Sequence, residues 1–276
     1  MPEGRTVSRV LVLGSGPPPK VGQLHVHLRE QAARGIGWRI EPTRVGGFPF
    51  TPLDVVLTEL GHVDAALRAA PGSADAVLLD TFGEYGLAAM RSGLVMPVIG
   101  AAEAALAEAR LAGPRFGIVT VWPESMDWLY QRQLRLLDSR ENCVGIRYVG
   151  GAAASEQTPR ETLGAMHRED AGWIGRIASA MQSLVDEGAS SIVLGCTCMA
   201  PVWEALAGRA SVPVICAARA GVRAVLSTLD SAGSHAATQG PPASITAVKA
   251  LVDFVDRGPA ATDQDAACPV CITAPE

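Results

Sequence analysis

The chain has 276 residues, 48% of them apolar and 18% charged, with a formal net charge of −5 and a mean hydropathy of +0.21. This composition suits a globular protein with one large core or two of domain size, and it offers no basic stripe for nucleic acid. No run approaches the roughly 18–20 consecutive apolar residues of a membrane span, and the start, Met1-Pro-Glu-Gly-Arg5, lacks the apolar stretch of a signal peptide.

Val10-Leu-Val-Leu13 is a short apolar run closed by Gly14-Ser-Gly-Pro-Pro-Pro19, the pattern of a buried parallel strand opening into a loop. His25-Val-His27, if extended, puts two imidazoles on one strand face, which fits a polar edge better than a metal site. A helical pattern covers Leu53–Ala70, followed by a strand at Val77-Leu-Leu79 that runs into Asp80-Thr81. Helix Gly86–Ser92, strand Met96–Ile99 and helix Ala101–Ala112 come next. Phe116-Gly-Ile-Val-Thr120 then opens a second series: helix Ser125–Leu137, strand Cys143–Val149, one long helix over Glu161–Glu187, strand Ile192–Leu194, helix Pro201–Ala207 and strand Val212–Ile215.

The last helix is Ser244–Asp256, with Ser244 as its cap. Strands alternating with helices predict parallel βαβ units with right-handed crossovers. We expect an α/β fold of two lobes. Residues 1–105 with about 219–257 form the first lobe and about 106–218 the second, and 258–276 is a flexible tail.

Two of these strands read as copies. Ala76-Val-Leu-Leu-Asp-Thr81 precedes Met96-Pro-Val-Ile99 as Ser191-Ile-Val-Leu-Gly-Cys196 precedes Val212-Pro-Val-Ile215. Aligning Thr81 with Cys196 leaves a single-residue shift between Pro97 and Pro213. A duplicated unit presenting one side chain per copy suits a reaction that needs a catalyst on each face of a substrate.

Cys196 sits at the carboxyl end of a parallel strand, where open α/β sheets bind ligands. Backbone N–H groups after it would favour the thiolate. A threonine hydroxyl needs a neighbouring base, for which Asp80 and Glu84 are the candidates at Thr81. The six cysteines are scattered without a disulfide-framework spacing, which points to thiols in a reducing cytoplasm. Cys143 and Cys216 read as packing residues, and His62 and His167 as surface or capping residues. Cys268-Pro-Val-Cys271 has metal-ligand spacing but no second pair. No metal site, phosphate-binding loop or dinucleotide fingerprint is predicted.

Four segments, Phe82-Gly-Glu-Tyr-Gly-Leu87, Val98-Ile-Gly-Ala-Ala-Glu-Ala104, Gly117-Ile-Val-Thr120 and Val193-Leu-Gly-Cys-Thr-Cys-Met199, resemble the aspartate/glutamate/hydantoin racemase superfamily. The first is closest to its hydantoin racemase branch, and the resemblance runs from Val10 to about Val225. It implies two pseudo-symmetric α/β lobes, each a parallel sheet flanked by helices, with the active site in the cleft between them. It also implies cofactor-independent chemistry by paired cysteines. The second of these falls on Cys196 and the first on Thr81. The Asn-Pro-Asn segment of hydantoin-type members is replaced by Gly14-Ser15-Gly16-Pro17.

The implied activity is a racemase or epimerase acting next to the carboxylate or hydantoin carbonyl of a small molecule. Cys196 and Thr81 would be catalytic. Ser15 and Thr120 would contact substrate, and the backbone at Phe82, Gly83, Thr197 and Cys198 would stabilise the developing charge. An arylmalonate-type decarboxylase using Cys196 as proton donor and a non-catalytic small-acid binding protein remain the alternatives. No cofactor, nucleic acid or membrane partner is expected, and a homo-oligomer is left open.

Overall fold

Strands of three to seven residues and the helices between them give two parallel sheets with the same internal order. The computed structural model describes residues 8–14, 25, 27–29, 35–150, 159–168, 171–231 and 242–256; Ser15, most of the 233–242 loop and the Cys268/Cys271 tail lie outside them. Strands β1 (Ser8–Gly14), β2 (Ile36–Glu41), β3 (Ala76–Asp80) and β4 (Val98–Gly100) lie in the order β2-β1-β3-β4. Strands β5 (Phe116–Thr120), β6 (Cys143–Tyr148), β7 (Ser191–Leu194) and β8 (Val214–Cys216) repeat it as β6-β5-β7-β8. All pairings are parallel, with Gly14 opposite Asp80 and Val119 opposite Leu194. The strands carrying Thr81 and Cys196 therefore hold the same place in the two sheets.

The helices are α1 (Pro52–Ala69), α2 (Leu87–Gly93), α3 (Ala101–Ala112), α4 (Asp127–Leu136), α5 (Pro159–His167), α6 (Ala171–Asp186), α7 (Trp203–Ala207), α8 (Ala217–Asp230) and α9 (Pro242–Asp256). None among the described residues is long and apolar enough to cross a membrane. Helix α1 begins with a reciprocal cap: the Asp54 N–H donates to the Thr51 hydroxyl while the Asp54 carboxylate accepts from the Thr51 N–H, and Pro52 fills the first helical position.

Strand alternation sorts the first sheet's core into two faces. Leu11, Leu13, Val77 and Leu79 pack with Val63, Leu67, Leu87 and Met90 of α1 and α2. On the other face, Val10, Val12, Ala76 and Leu78 pack with Leu28 and with Val222 and Val225 of α8. The second sheet is buried in one cluster that takes in Ala101, Ala102 and Ala105 of α3 and Ala217, Ala218 and Ala220 of α8.

Those alanines let α3 and α8 approach closely. At Gly221 a Cβ would lie 2.9 Å from Leu78 Cδ1 and 3.3 Å from the Ala101 backbone. Gly221→Val should therefore lower stability by about 1–3 kcal/mol through overpacking. A urea unfolding midpoint unchanged from wild type would contradict this. Helix α9 is tied to α1 by ion pairs, with Arg44 and Arg68 both bridging Asp64 and Asp253.

Several expected elements differ from the observed ones. Strand β2 was not expected, because Ile36-Gly-Trp-Arg-Ile-Glu41 mixes glycine and charge; it is a half-exposed edge strand. The long helix expected over Glu161–Glu187 is two helices, α5 and α6. Ser244 lies within α9 rather than capping it, since the helix starts at Pro242.

Residues 27–29 are helical, so His25 and His27 do not share a strand face; their rings stack with centroids 5.5 Å apart. His62 is 1% exposed and not a surface residue, because its two ring nitrogens sit 2.7 Å from the Thr58 carbonyl and 3.0 Å from that of Gly14.

Candidate active site

The ends of β3 and β7 touch. The Thr197 hydroxyl, one residue past Cys196, donates to the carbonyl of Asp80, one residue before Thr81, at 3.0 Å. The two aligned positions thus belong to one locality although 115 residues separate them (196 − 81).

Past β7 the chain turns into a 3₁₀ helix, Thr197–Val202, with Cys196 extended at its N-cap. Gly195 is required at this corner. A Cβ there would lie 2.9 Å from both Ile118 Cγ2 and the Tyr130 ring. The Tyr130 hydroxyl donates to the Gly195 carbonyl at 3.0 Å and pairs with the Thr120 hydroxyl, so a fully buried Tyr–Thr pair braces the backbone just ahead of Cys196. Burial pushes the Tyr130 phenol far above its ordinary pKa, against the pull of the Thr120 hydrogen bond, which keeps it a donor. Thr120, expected to contact substrate, is fully buried and its hydroxyl is committed to Tyr130.

The Cys198 N–H donates to Cys196 Sγ at 3.2 Å, an interaction that favours a thiolate when the sulfur is free. In this structure Cys196 and Cys198 form a disulfide. This corrects the expectation of unpaired thiols: the tight corner folds the two side chains of a Cys-x-Cys segment onto each other. Cys143, half-buried, and Cys216, buried, are free, and burial pushes both thiols up to about 11, which disfavours the nucleophilic thiolate. His167, expected at the surface or as a cap, is half-buried on α5 with Nε2 2.9 Å from the Cys198 carbonyl.

On the β3 side Thr81 is buried, and its hydroxyl accepts from the Glu84 N–H at 3.1 Å, closing a turn over 81–84. Neither carboxylate proposed as its base serves it. Glu84 adopts φ +48°, an unusual backbone for a non-glycine residue, and its Oε1 accepts from the Glu103 N–H at 2.6 Å in the first turn of α3. Burial raises the Glu84 carboxyl to about 7 despite that bond. Gly100 leaves room for this side chain, since a Cβ there would lie 2.1 Å from Oε1.

Asp80 instead pairs with His27, Oδ2 to Nε2 at 2.9 Å, with both side chains buried. Burial opposes the charge on Asp80, but the two histidines beside it, His27 and His25, hold its carboxyl below the ordinary value. This pair was missed. Its members lie 53 residues apart, and the one signal was a carboxylate ending an apolar strand run.

Phe82 is buried, its ring centroid 5.6 Å from that of Tyr130, and the Gly83 carbonyl accepts from Gln133. Among the described residues no group of three or more His, Cys, Asp or Glu is placed to hold a metal.

A stretch of 176 residues is 27% identical to hydantoin racemase from Pseudomonas sp. (strain NS671), covering 62% of this chain and 64% of that protein. Another of 144 residues is 30% identical to hydantoin racemase from Paenarthrobacter aurescens, covering 51% of this chain and 56% of that one. The matched stretches thus span less than two thirds of either relative. The fold is that of allantoin racemase from Pseudomonas fluorescens, with a TM-score of 0.67 and 22% identity over 85% of this chain and 97% of that one. Residues 50–225 match the Asp/Glu/Hydantoin racemase model, which is more than half of the sequence, and the chain belongs to that family.

Proposed function

We propose that the chain is a cofactor-independent racemase or epimerase that removes and returns a proton at the carbon next to a carboxylate or hydantoin-type carbonyl. The observation that carries this is the Thr197–Asp80 hydrogen bond, which sets the duplicated strand ends against each other. Cys196, once reduced, is an acid/base on one face, and Thr81 holds the opposite position. Removing the proton sends the C–H electrons towards the carbonyl oxygen. The backbone N–H groups of Phe82–Gly83 and Thr197–Cys198 are the donors in this reading that would stabilise the resulting enolate. The relatives' names favour cyclic ureides, hydantoin above all, as substrates. The same reading takes 1–105 with 219–257 as one lobe and 106–218 as the other, supported by the ion pairs between α9 and α1.

A second reading is favoured by the single thiol at the two aligned positions. A decarboxylase needs one proton donor only, and Cys196 would protonate the carbanion left by loss of carbon dioxide. Incubating the reduced, chelator-dialysed protein in heavy water with amino acids, 5-substituted hydantoins and arylmalonates separates the two. We expect deuterium at the α-carbon of a recovered hydantoin in both enantiomers. Carbon dioxide release from an arylmalonate with no exchange elsewhere would select the lyase, and saturable binding with neither would leave a binding protein.

A further inference from the structure

Buried polar atoms in folded proteins nearly always find a partner, so an enclosed pair with open valences calls for an explanation. His27 and Asp80 form such a pair. Nε2 and Oδ2 bond to each other, while His27 Nδ1 and Asp80 Oδ1 are buried without any hydrogen-bond partner. The side chains are 4% and 6% exposed, and the Asp80 carbonyl takes the Thr197 hydroxyl. Asp80 is the residue before Thr81, and its carbonyl ties the pair through one hydrogen bond to the residue after Cys196.

A carboxylate accepting Nε2–H fixes the imidazole tautomer that leaves Nδ1 with a free lone pair, the arrangement of a general base supported by an aspartate. Thr81, by contrast, has its hydroxyl engaged with the Glu84 N–H, and Glu84 is engaged with Glu103.

We propose that His27, oriented by Asp80, is the acid/base on the Thr81 face, opposite Cys196. This rests on the racemase reading above. In one direction the lone pair of His27 Nδ1 takes the α-proton, and the C–H electrons move into the enolate and its oxygen. The Cys196 Sγ–H bond then breaks, giving its proton to the opposite face of the carbon as the enolate collapses. The enzyme is left with an imidazolium beside the Asp80 carboxylate and a thiolate at Cys196. That is the protonation state required to run the other enantiomer back. His27 is thus a catalytic residue and Asp80 a positioning one, while the Thr81 hydroxyl closes the turn that follows Asp80.

The test uses the separated enantiomers of 5-isopropylhydantoin in heavy water with full-length, reduced protein. His27→Asn should lower racemisation by about 10²–10⁴-fold, the usual share of a general acid/base. It should abolish α-proton exchange from one enantiomer and leave exchange from the other. Cys196→Ser should show the reverse asymmetry. Added imidazole should restore part of the lost exchange in His27→Ala.

If the His27 variants do not fold, Asp80→Asn carries the test. It should lower kcat without raising KM, and in a Cys196→Ser background it should suppress the remaining exchange. Exchange from both enantiomers at wild-type rates in folded His27→Asn would overturn the proposal. So would remaining exchange in Cys196→Ser that is indifferent to Asp80→Asn. Absence of any exchange by the wild type with this probe would remove the racemase reading itself, and this inference with it.

Discussion

Replacing Cys196 by serine or alanine should cost at least about 10³-fold in racemisation while the circular dichroism spectrum stays native. A positioned proton donor contributes roughly 10²–10⁴ to rate, and serine is too weak an acid and base to substitute for a thiol. The fold should tolerate the change because what shapes the corner lies around the sulfur. The Gly195 carbonyl is held by Tyr130 and the Thr197 hydroxyl by Asp80, and neither bond involves the thiol. Cys196 is only half-buried, so losing the sulfur leaves little cavity. Both variants retaining activity within about tenfold of wild type would remove Cys196 from the mechanism.

The second large effect concerns oxidation. A sulfur bonded to Cys198 carries no proton and cannot take one, so the disulfide form should be inactive under the proposed mechanism. Protein held without reductant until its Cys196–Cys198 pair is oxidised should lose at least nine tenths of its activity. Dithiothreitol should restore it by thiol–disulfide exchange. Cys198→Ala should remove the dependence: whatever rate that variant has in reductant, it should keep in air. Full activity in a sample whose thiol count shows the pair oxidised would be incompatible with Cys196 as acid/base. A reducing compartment, proposed on cysteine usage, would keep the thiol form.

Much of the architecture was legible because strand signals here are strong and local. Val77–Leu79, Ile118–Val119 and Ile192–Leu194 are apolar runs, and each lies in a fully buried parallel strand. Their alignment predicted the equivalence of Thr81 and Cys196, which the matching strand orders support. Strand β2 escaped notice because an edge strand needs only one buried face, and its glycine and charges blur the alternation.

The candidate site was legible only in part. The position of Cys196 just past a strand end is a property of local sequence. The His27–Asp80 pair depends on a tertiary contact, and nothing near His27 announces it. The Cys196–Cys198 bond depends on how sharply the backbone turns, which cysteine spacing along the sequence does not encode.

Helix α8 has a consequence for the order in which the molecule is built. It supplies Val222 and Val225 to the core beneath β1 and β3, and Gly221 seats it against Leu78 and Ala101. The first sheet's strands leave the ribosome early, yet one of their faces stays open until more than a hundred further residues have been synthesised. The second sheet, whose strands and helices lie between Phe116 and Cys216, has nearly all its own material by then. Closure of the first sheet's core is therefore a late, long-range event in a nascent chain. Until α8 arrives, Val10, Val12 and Leu78 are exposed apolar surface for chaperones to cover, and a chain truncated before Ala217 should emerge as an aggregation-prone fragment with its first sheet unsealed.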